Sequence, residues 1–111
     1  MTQRHEPTGW GSMEWLVDDA LQPGARLSLA RMTIHAGCTS ETHRHANCDE
    51  AVHVASGRVE QRIGDRLVVL GVGDSAHIPT GAAHCSRALD GKPAMLIVAY
   101  SAGQRVYQLI Q

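Results

Sequence analysis

The sequence predicts an all-β fold, a sandwich or closed barrel of about nine or ten short strands. Two observations carry that expectation. Turn-forming residues interrupt the chain at Gly9/Gly11, Pro23-Gly24, Gly37, Asn47, Gly57, Gly64-Asp65, Gly71/Gly73-Asp74, Pro79/Gly81, Asp90-Gly91 and Gly103. The segments between them are mostly five to ten residues long, which leaves little room for a long helix. The segments themselves are rich in Val, Ile and Leu and read as strands.

Taken in order, residues 1–12, rich in Gly and polar groups, are expected to form a flexible N-terminal arm, and residues 13–111 one barrel domain. Leu27 and Leu29 are followed by Met32 and Ile34, a change of phase near Ala30 that implies either a bulge or burial of both faces. Val52 and Val54 mark the next strand. Arg58 to Ile63, Gly64-Asp65 and Arg66 to Leu70 read as a hairpin, with Val59, Gln61 and Ile63 on one face and Arg58, Glu60 and Arg62 on the other. With the apolar face inward, Gln61 needs a polar partner in the interior. Leu96 to Val98 and Val106 to Ile110 complete the series.

A chain of 111 residues can bury one core and carry one site. Its formal net charge is −1 and its Lys and Arg residues are scattered, so it lacks the basic footprint of a partner for nucleic acid or for an anionic membrane. No apolar run approaches the ~18 to 20 residues of a membrane span, and MTQRHEPTGW lacks the apolar stretch of a secretory signal. A cytoplasmic location and a small-molecule partner are therefore expected. Cys38, Cys48 and Cys85 form no CxxC pair and leave an odd one over, so free thiols are expected. Phe is absent, and the core must rest on Val, Ile, Leu, Met and Ala. Seven histidines in so short a chain require an explanation.

The stretch HRHANCDE, His43 to Glu50, supplies the beginning of one. On a strand, His43 and His45 project from the same face, close enough for both imidazoles to reach one ion. Glu50 follows across Asn47, a turn former, and shares parity with Val52 and Val54. A glutamate on an apolar face needs a cation or an opposite charge. In the segment Gly73 to His84, Pro79 and Gly81 shape a turn that delivers His84 to the start of the next strand.

Gly37, five residues, His43, one residue, His45, four residues, Glu50, six residues and Gly57 together resemble the first motif of the cupins, without a gap. Gly73, five residues, Pro79, one residue, Gly81, two residues and His84 resemble the second. The spacer, Arg58 to Val72, is 15 residues and is similar to that of small bacterial members. One position departs: where the second motif usually closes with Asn, this chain has Ala88. The resemblance implies a double-stranded β-helix, or jelly roll, of two facing antiparallel sheets. It further implies a divalent metal held inside by His43, His45, Glu50 and His84, and homodimers built through the outer sheet and the N-terminal arm. Three imidazoles and a carboxylate are borderline ligands suited to Fe, Mn, Ni, Cu or Zn, unlike the all-oxygen cage preferred by Ca. Four protein ligands on a six-coordinate ion leave two positions open for chemistry or binding.

The remaining histidines rank lower. His5 belongs to the arm and His35 to a strand end, and His53, opposite in parity to Glu50, suits a surface or a subunit interface. His77 is a candidate acid/base group, as is Glu50 if it leaves the metal. Gln61 and Arg31 are candidates for the ligand pocket. Cys85, adjoining His84 in a strand, should point away from the metal, and Cys48 is read as a small packing residue. Asp49 and Asp74 suit turns.

Since the fold itself names no reaction, function must come from the site. The first reading is a metal-dependent enzyme of isomerase, lyase or oxygenase type acting on a small oxygen-rich substrate such as a hydroxy or oxo acid, a sugar derivative or a phenolic. The alternative is a non-catalytic module that holds a metal or small ligand, for instance in sensing. A third reading is a structural barrel stabilised by its metal. An enzyme requires a solvent-connected cavity over the metal, whereas a scaffold predicts a closed one.

Overall fold

The computed structural model describes residues 4–110, which contain strands and turns and no helix. The strands are β1 (Arg4–Pro7), β2 (Gly11–Val17), β3 (Ser28–Ile34), β4 (His43–Arg44), β5 (Glu50–Ser56), β6 (Val59–Ile63), β7 (Arg66–Leu70), β8 (Ser75–Ile78), β9 (His84–Ala88), β10 (Ala94–Tyr100) and β11 (Gln108–Leu109). They form two antiparallel sheets, ordered β1-β2-β3-β10-β5-β8 and β11-β4-β9-β6-β7. From β3 onward, the β6–β7 hairpin apart, consecutive strands alternate between the sheets, so His43 (β4) and His84 (β9) come from one sheet and Glu50 (β5) from the other. Of the stretch read as an N-terminal arm, Arg4–Pro7 pair with Ser12–Trp15 as β1, and Gly11 and Ser12 open β2.

Between the sheets lies a core of Met13, Trp15, Ala30, Met32, Ile34, Val52, Val54, Val59, Ile63, Ile78, Leu96, Val98 and their neighbours. The aliphatic members follow from strict alternation: in β10, Ala94, Leu96, Val98 and Tyr100 are buried while the residues between them are half-buried. Each fully buried Leu, Ile or Val contributes roughly 1.5 to 3 kcal/mol of transfer free energy.

The hairpin β6–β7 has the expected register, Val59 opposite Leu70 and Ile63 opposite Arg66. Gln61 is fully buried in it and finds the partner its position demands. Its amide nitrogen donates to the carbonyls of Cys85 (3.0 Å) and Arg62 (3.2 Å), and its oxygen accepts from the Ser86 hydroxyl at 2.5 Å.

Two expectations about strands need correction. The phase change near Ala30 does not occur within β3, where Ser28, Ala30, Met32 and Ile34 are buried in unbroken alternation and Leu27 is 56 % exposed. The inward positions are small here because Ala30 faces the large indole of Trp15 across the strands, and the Ser28 hydroxyl is satisfied by the Ala102 carbonyl. The irregularity lies instead on the neighbouring strand, where register shifts between Trp15 and Val17. The C-terminal strand is Gln108–Leu109 alone; Val106 is outside it because its N–H and carbonyl are taken by Asn47 and His45.

Gly57, which closes the first motif, has φ +77, and a Cβ there would lie 2.5 Å from the Pro93 carbonyl oxygen. Only glycine serves both demands. Among the described residues, no helix is long and apolar enough to cross a membrane.

Candidate metal centre

His43, His45, Glu50 and His84 are all buried, and each offers a ligand atom within 4.8 Å of the others. The first two lie at the end of β4, where His43 sits opposite His84 in the sheet. Glu50 opens β5 between Ile78 of β8 and Tyr100 of β10, and its inward parity with Val52 and Val54 is as expected. Gly81 donates its N–H to the His45 carbonyl at 2.9 Å and so ties the turn before His84 to the loop that carries His45. The imidazole centroids are 4.2 to 5.1 Å apart.

The fold sets the tautomer of each ring. Nδ1 of His43 lies 2.7 Å from the Glu41 carbonyl, that of His45 2.9 Å from the Val106 carbonyl and that of His84 2.9 Å from the Ala82 carbonyl. A carbonyl oxygen only accepts, so each Nδ1 carries the hydrogen and each neutral ring presents its Nε2 lone pair to the others. The cluster is then four acceptors facing one another. Nε2 of His45 and of His84 approach Glu50 Oε1 at 3.2 and 3.0 Å, yet all three atoms are buried without a hydrogen-bond partner, as acceptors facing an acceptor must be. Each such orphan costs about 1 to 3 kcal/mol unless something positive occupies the space between them. This donor set suits a divalent transition ion.

The electrostatics show a cluster that draws positive charge, as a proton where no ion is bound. Burial is the largest influence on Glu50 and works to raise its pKa, but the His45 and His84 imidazoles outweigh it and hold the carboxyl at about 2. At His84 burial lowers the pKa and the Glu50 carboxylate reverses it, for a net rise. His43 is lowered to about 4, first by burial and then by the charge on His84. It is therefore a neutral donor at ordinary pH.

Above the cluster is an inner cavity of about 20 Å³, room for about one water molecule, lined by His43, Glu50 and His84 together with Ser40, Ser86 and Arg105. Trp10, Met13, Arg105 and Tyr107 line this cavity and also an outer recess of about 330 Å³. These four residues thus stand between the recess and the cluster. Neither Arg105 nor Tyr107 stands in a motif. Their signal was faint: Arg105, Tyr107 and Leu109 share a parity in a short C-terminal segment, but nothing in the sequence tells where that segment docks.

The other sequence candidates lie elsewhere. His77, its side chain 64 % exposed, faces outward on β8 and holds Asp49 Oδ2 at 2.9 Å. Arg31 points out of β3 and pairs with Glu14. Gln61 spends its carboxamide within the core, away from the inner cavity's lining. His5, His35 and His53 are exposed, and His53 contacts the Ser75 hydroxyl at 2.7 Å. The three cysteines are free; Cys48 is buried in the core, and Cys85 sits opposite Arg62 on the outward face of β9, turned from the ligands. Asp49 accepts from the Thr80 N–H at 3.0 Å, and Asp74 Oδ2 from the Gly71 N–H at 2.9 Å, both bracing turns.

With this geometry, comparison with known proteins is informative. The chain is 31 % identical over 70 residues to the xanthan biosynthesis protein XanB of Xanthomonas campestris pv. campestris (strain B100), a match spanning 63 % of this chain and 15 % of that protein. An oxalate oxidase structure superposes with a TM-score of 0.84 at 22 % identity, over 93 % of this chain and 57 % of that one. The oxalate decarboxylase of Lactobacillus farciminis, solved as a formate complex, gives 0.88 at 19 % identity, over 97 % and 33 %. That of Bacillus subtilis at pH 4.6 gives 0.87 at 16 %, over 97 % and 30 %. The chain therefore spans only a fraction of the relatives it matches, and the structural likenesses establish a shared fold. The family model described as a cupin domain matches residues 30–100, a span that includes all four clustered side chains, and on that match the chain belongs to the cupin family.

Proposed function

We propose that this cupin is a metal-dependent enzyme of the isomerase, lyase or oxygenase type, acting on a small oxygen-rich substrate inside the barrel. His43, His45 and His84 through Nε2 and Glu50 through its carboxylate would hold one divalent ion among Fe, Mn, Ni, Cu and Zn. The observation that carries this reading is the set of buried acceptors without partners, their tautomers fixed by three backbone carbonyls. When bound, the ion would supply Lewis acidity and, with Fe, a place for O₂. The chain's own contribution is to aim the three Nε2 atoms into one space and to orient what enters with Arg105 and Tyr107. Glu50 is the carboxylate nearest the cavity and the proposed proton carrier should it leave the ion.

Metal analysis tests the reading. The full chain, purified without a histidine tag, should carry about one ion per chain. His45→Ala and Glu50→Ala should both lose stoichiometric metal while keeping a β-type circular dichroism spectrum. Full occupancy in both variants would refute the ligand assignment. The tightness of the inner cavity favours a second reading, a binding or sensor module without turnover. An oxygen-uptake and substrate-panel assay on metal-loaded protein separates the two.

The assembly we propose is a cytoplasmic homodimer of a domain spanning residues 13–111, joined through the outer face of the six-stranded sheet with residues 1–12 as the arm. The half-buried stripe of Leu29, Met95 and Ile97 on that face supports the dimer, and three free thiols suit a reducing compartment.

A further inference from the structure

Arg105 is a cation without an anion. It lies between β10 and β11, and its guanidinium carbon is 4.9 Å from the ring centroid of Trp15, 5.0 Å from that of Tyr107 and 5.5 Å from that of Tyr100. Three aromatic faces hold it in one place, so little rotamer entropy remains to be lost on binding. Among the described residues, Arg4, Arg31, Arg58 and Arg87 each pair with a carboxylate and Arg26, Arg44, Arg62 and Arg66 are exposed, whereas Arg105 is half-buried with no carboxylate in ion-pair range. Its Nε is buried with no hydrogen-bond partner.

Position gives that vacancy a meaning. Arg105 lines the inner cavity alongside His43, Glu50 and His84, and also lines the outer recess. The carboxylates of the recess, Glu6 and Glu41, are exposed and do not line the inner cavity; Glu6 accepts from the Trp15 indole N–H at 3.4 Å, and Glu41 from the Tyr107 hydroxyl at 3.3 Å. A divalent ion balanced by the single carboxylate of Glu50 leaves one positive charge, and the guanidinium adds a second. An inner cavity with that excess is completed by an anion, whereas a neutral sugar or alcohol would leave the buried Nε of half-buried Arg105 without a charged partner. The inner cavity, about 20 Å³, has room for little more than the tip of a ligand, which favours a flat carboxylate end over a tetrahedral phosphate.

We infer that Arg105 selects the ligand of this site, a small carboxylate whose anionic end lies between the guanidinium and the metal position while its remainder extends past Trp10 and Tyr107 into the recess. This assignment rests on the metal-dependent reading above and narrows its substrate class to carboxylates such as hydroxy and oxo acids.

Calorimetric titration of the metal-loaded full chain with glycolate, its neutral amide glycolamide and inorganic phosphate tests it without recourse to turnover. Glycolate should bind, glycolamide should bind at least about tenfold more weakly, as expected for loss of one charge-assisted pair, and phosphate, too bulky for the inner cavity, should bind no better than glycolamide. Arg105→Gln should weaken glycolate by roughly 10- to 100-fold while metal content stays at the wild-type value. Should Arg105→Gln fail to fold, Arg105→Lys asks the same question: its ammonium keeps the charge but not the fork, so glycolate should bind severalfold more weakly at full metal content. Unchanged glycolate affinity in the folded variant overturns the inference and leaves the metal site standing, as does glycolamide or phosphate matching glycolate. Wild-type protein that takes up no metal overturns both.

Discussion

Each imidazole of the cluster makes one ordinary hydrogen bond, to a carbonyl of its own sheet or loop, and that bond determines what its other nitrogen can do. Short backbone spacing builds two of the three, since Glu41 and Ala82 each precede their histidine by two residues, while His45 relies on the distant Val106 carbonyl. That is why the four donors were legible in the sequence: their spacing is a local property of strands and turns. Gly57 belongs to the same class. Replacing it by Ala should destabilise the fold by about 2 kcal/mol or more, since the positive φ and the Pro93 carbonyl 2.5 Å from the new Cβ both oppose it. Denaturant unfolding would show a lowered midpoint; an unchanged one would mean that the loop relaxes freely. Arg105 could not be found this way. Its role depends on three rings, Trp15, Tyr100 and Tyr107, drawn from separate parts of the chain. His77 shows the converse, a plausible residue whose neighbour Ile78, 1 % exposed, takes the inward place.

At the level of elements, the C-terminal segment acts as a brace on the segment that carries His43 and His45. Val106 accepts from His45 Nδ1, Tyr107 stacks on His43 with centroids 4.5 Å apart, and Leu109 pairs with His43 in β11–β4. Asn47 fastens the brace from the other side, donating to the Gln104 carbonyl at 3.0 Å and accepting from the Val106 N–H at 2.8 Å. Sequence reading assigned Asn47 to a turn and residues 106–110 to a strand, and so recognised both pieces without their connection. Tertiary contacts, not propensity, decide that Val106 donates to a side chain instead of a ladder. Asn47→Ala should therefore weaken metal affinity by roughly tenfold, the scale on which partners of metal ligands act, without removing a ligand. Competition against a chelator of known strength measures it, and equal retention by the variant and the parent would show that the brace is irrelevant to the site.

For the whole molecule, the buried cluster couples folding to pH and to metal. In metal-free protein the folded state holds His43 at about 4, against an ordinary value of 6.5. Below pH 6.5 the unfolded chain therefore takes up a proton that the folded chain refuses. Stability supplied by neutral His43 is complete above 6.5 and falls as pH drops toward 4, by at most about 3 kcal/mol. Glu50, held at about 2 against an ordinary 4.5, extends the loss: its stabilisation is present above 4.5 and disappears as pH falls through 2. His84 works in the opposite sense. Its raised pKa gives stability that is complete below 6.5 and lost as pH rises through the folded value, so it offsets part of the His43 term. Bound metal adds stability through its affinity for the folded state alone, and protons compete with it for the same nitrogens. Urea unfolding of metal-free protein should accordingly give a lower midpoint at pH 4.5 than at pH 7, and His43→Gln, which cannot titrate, should flatten much of that difference. Loading with metal should raise the midpoint at pH 7 far more than at pH 4.5. A metal-free midpoint that is level across this range, or equal gains from metal at both pH values, would mean that the four side chains do not form the acceptor cluster on which the site depends.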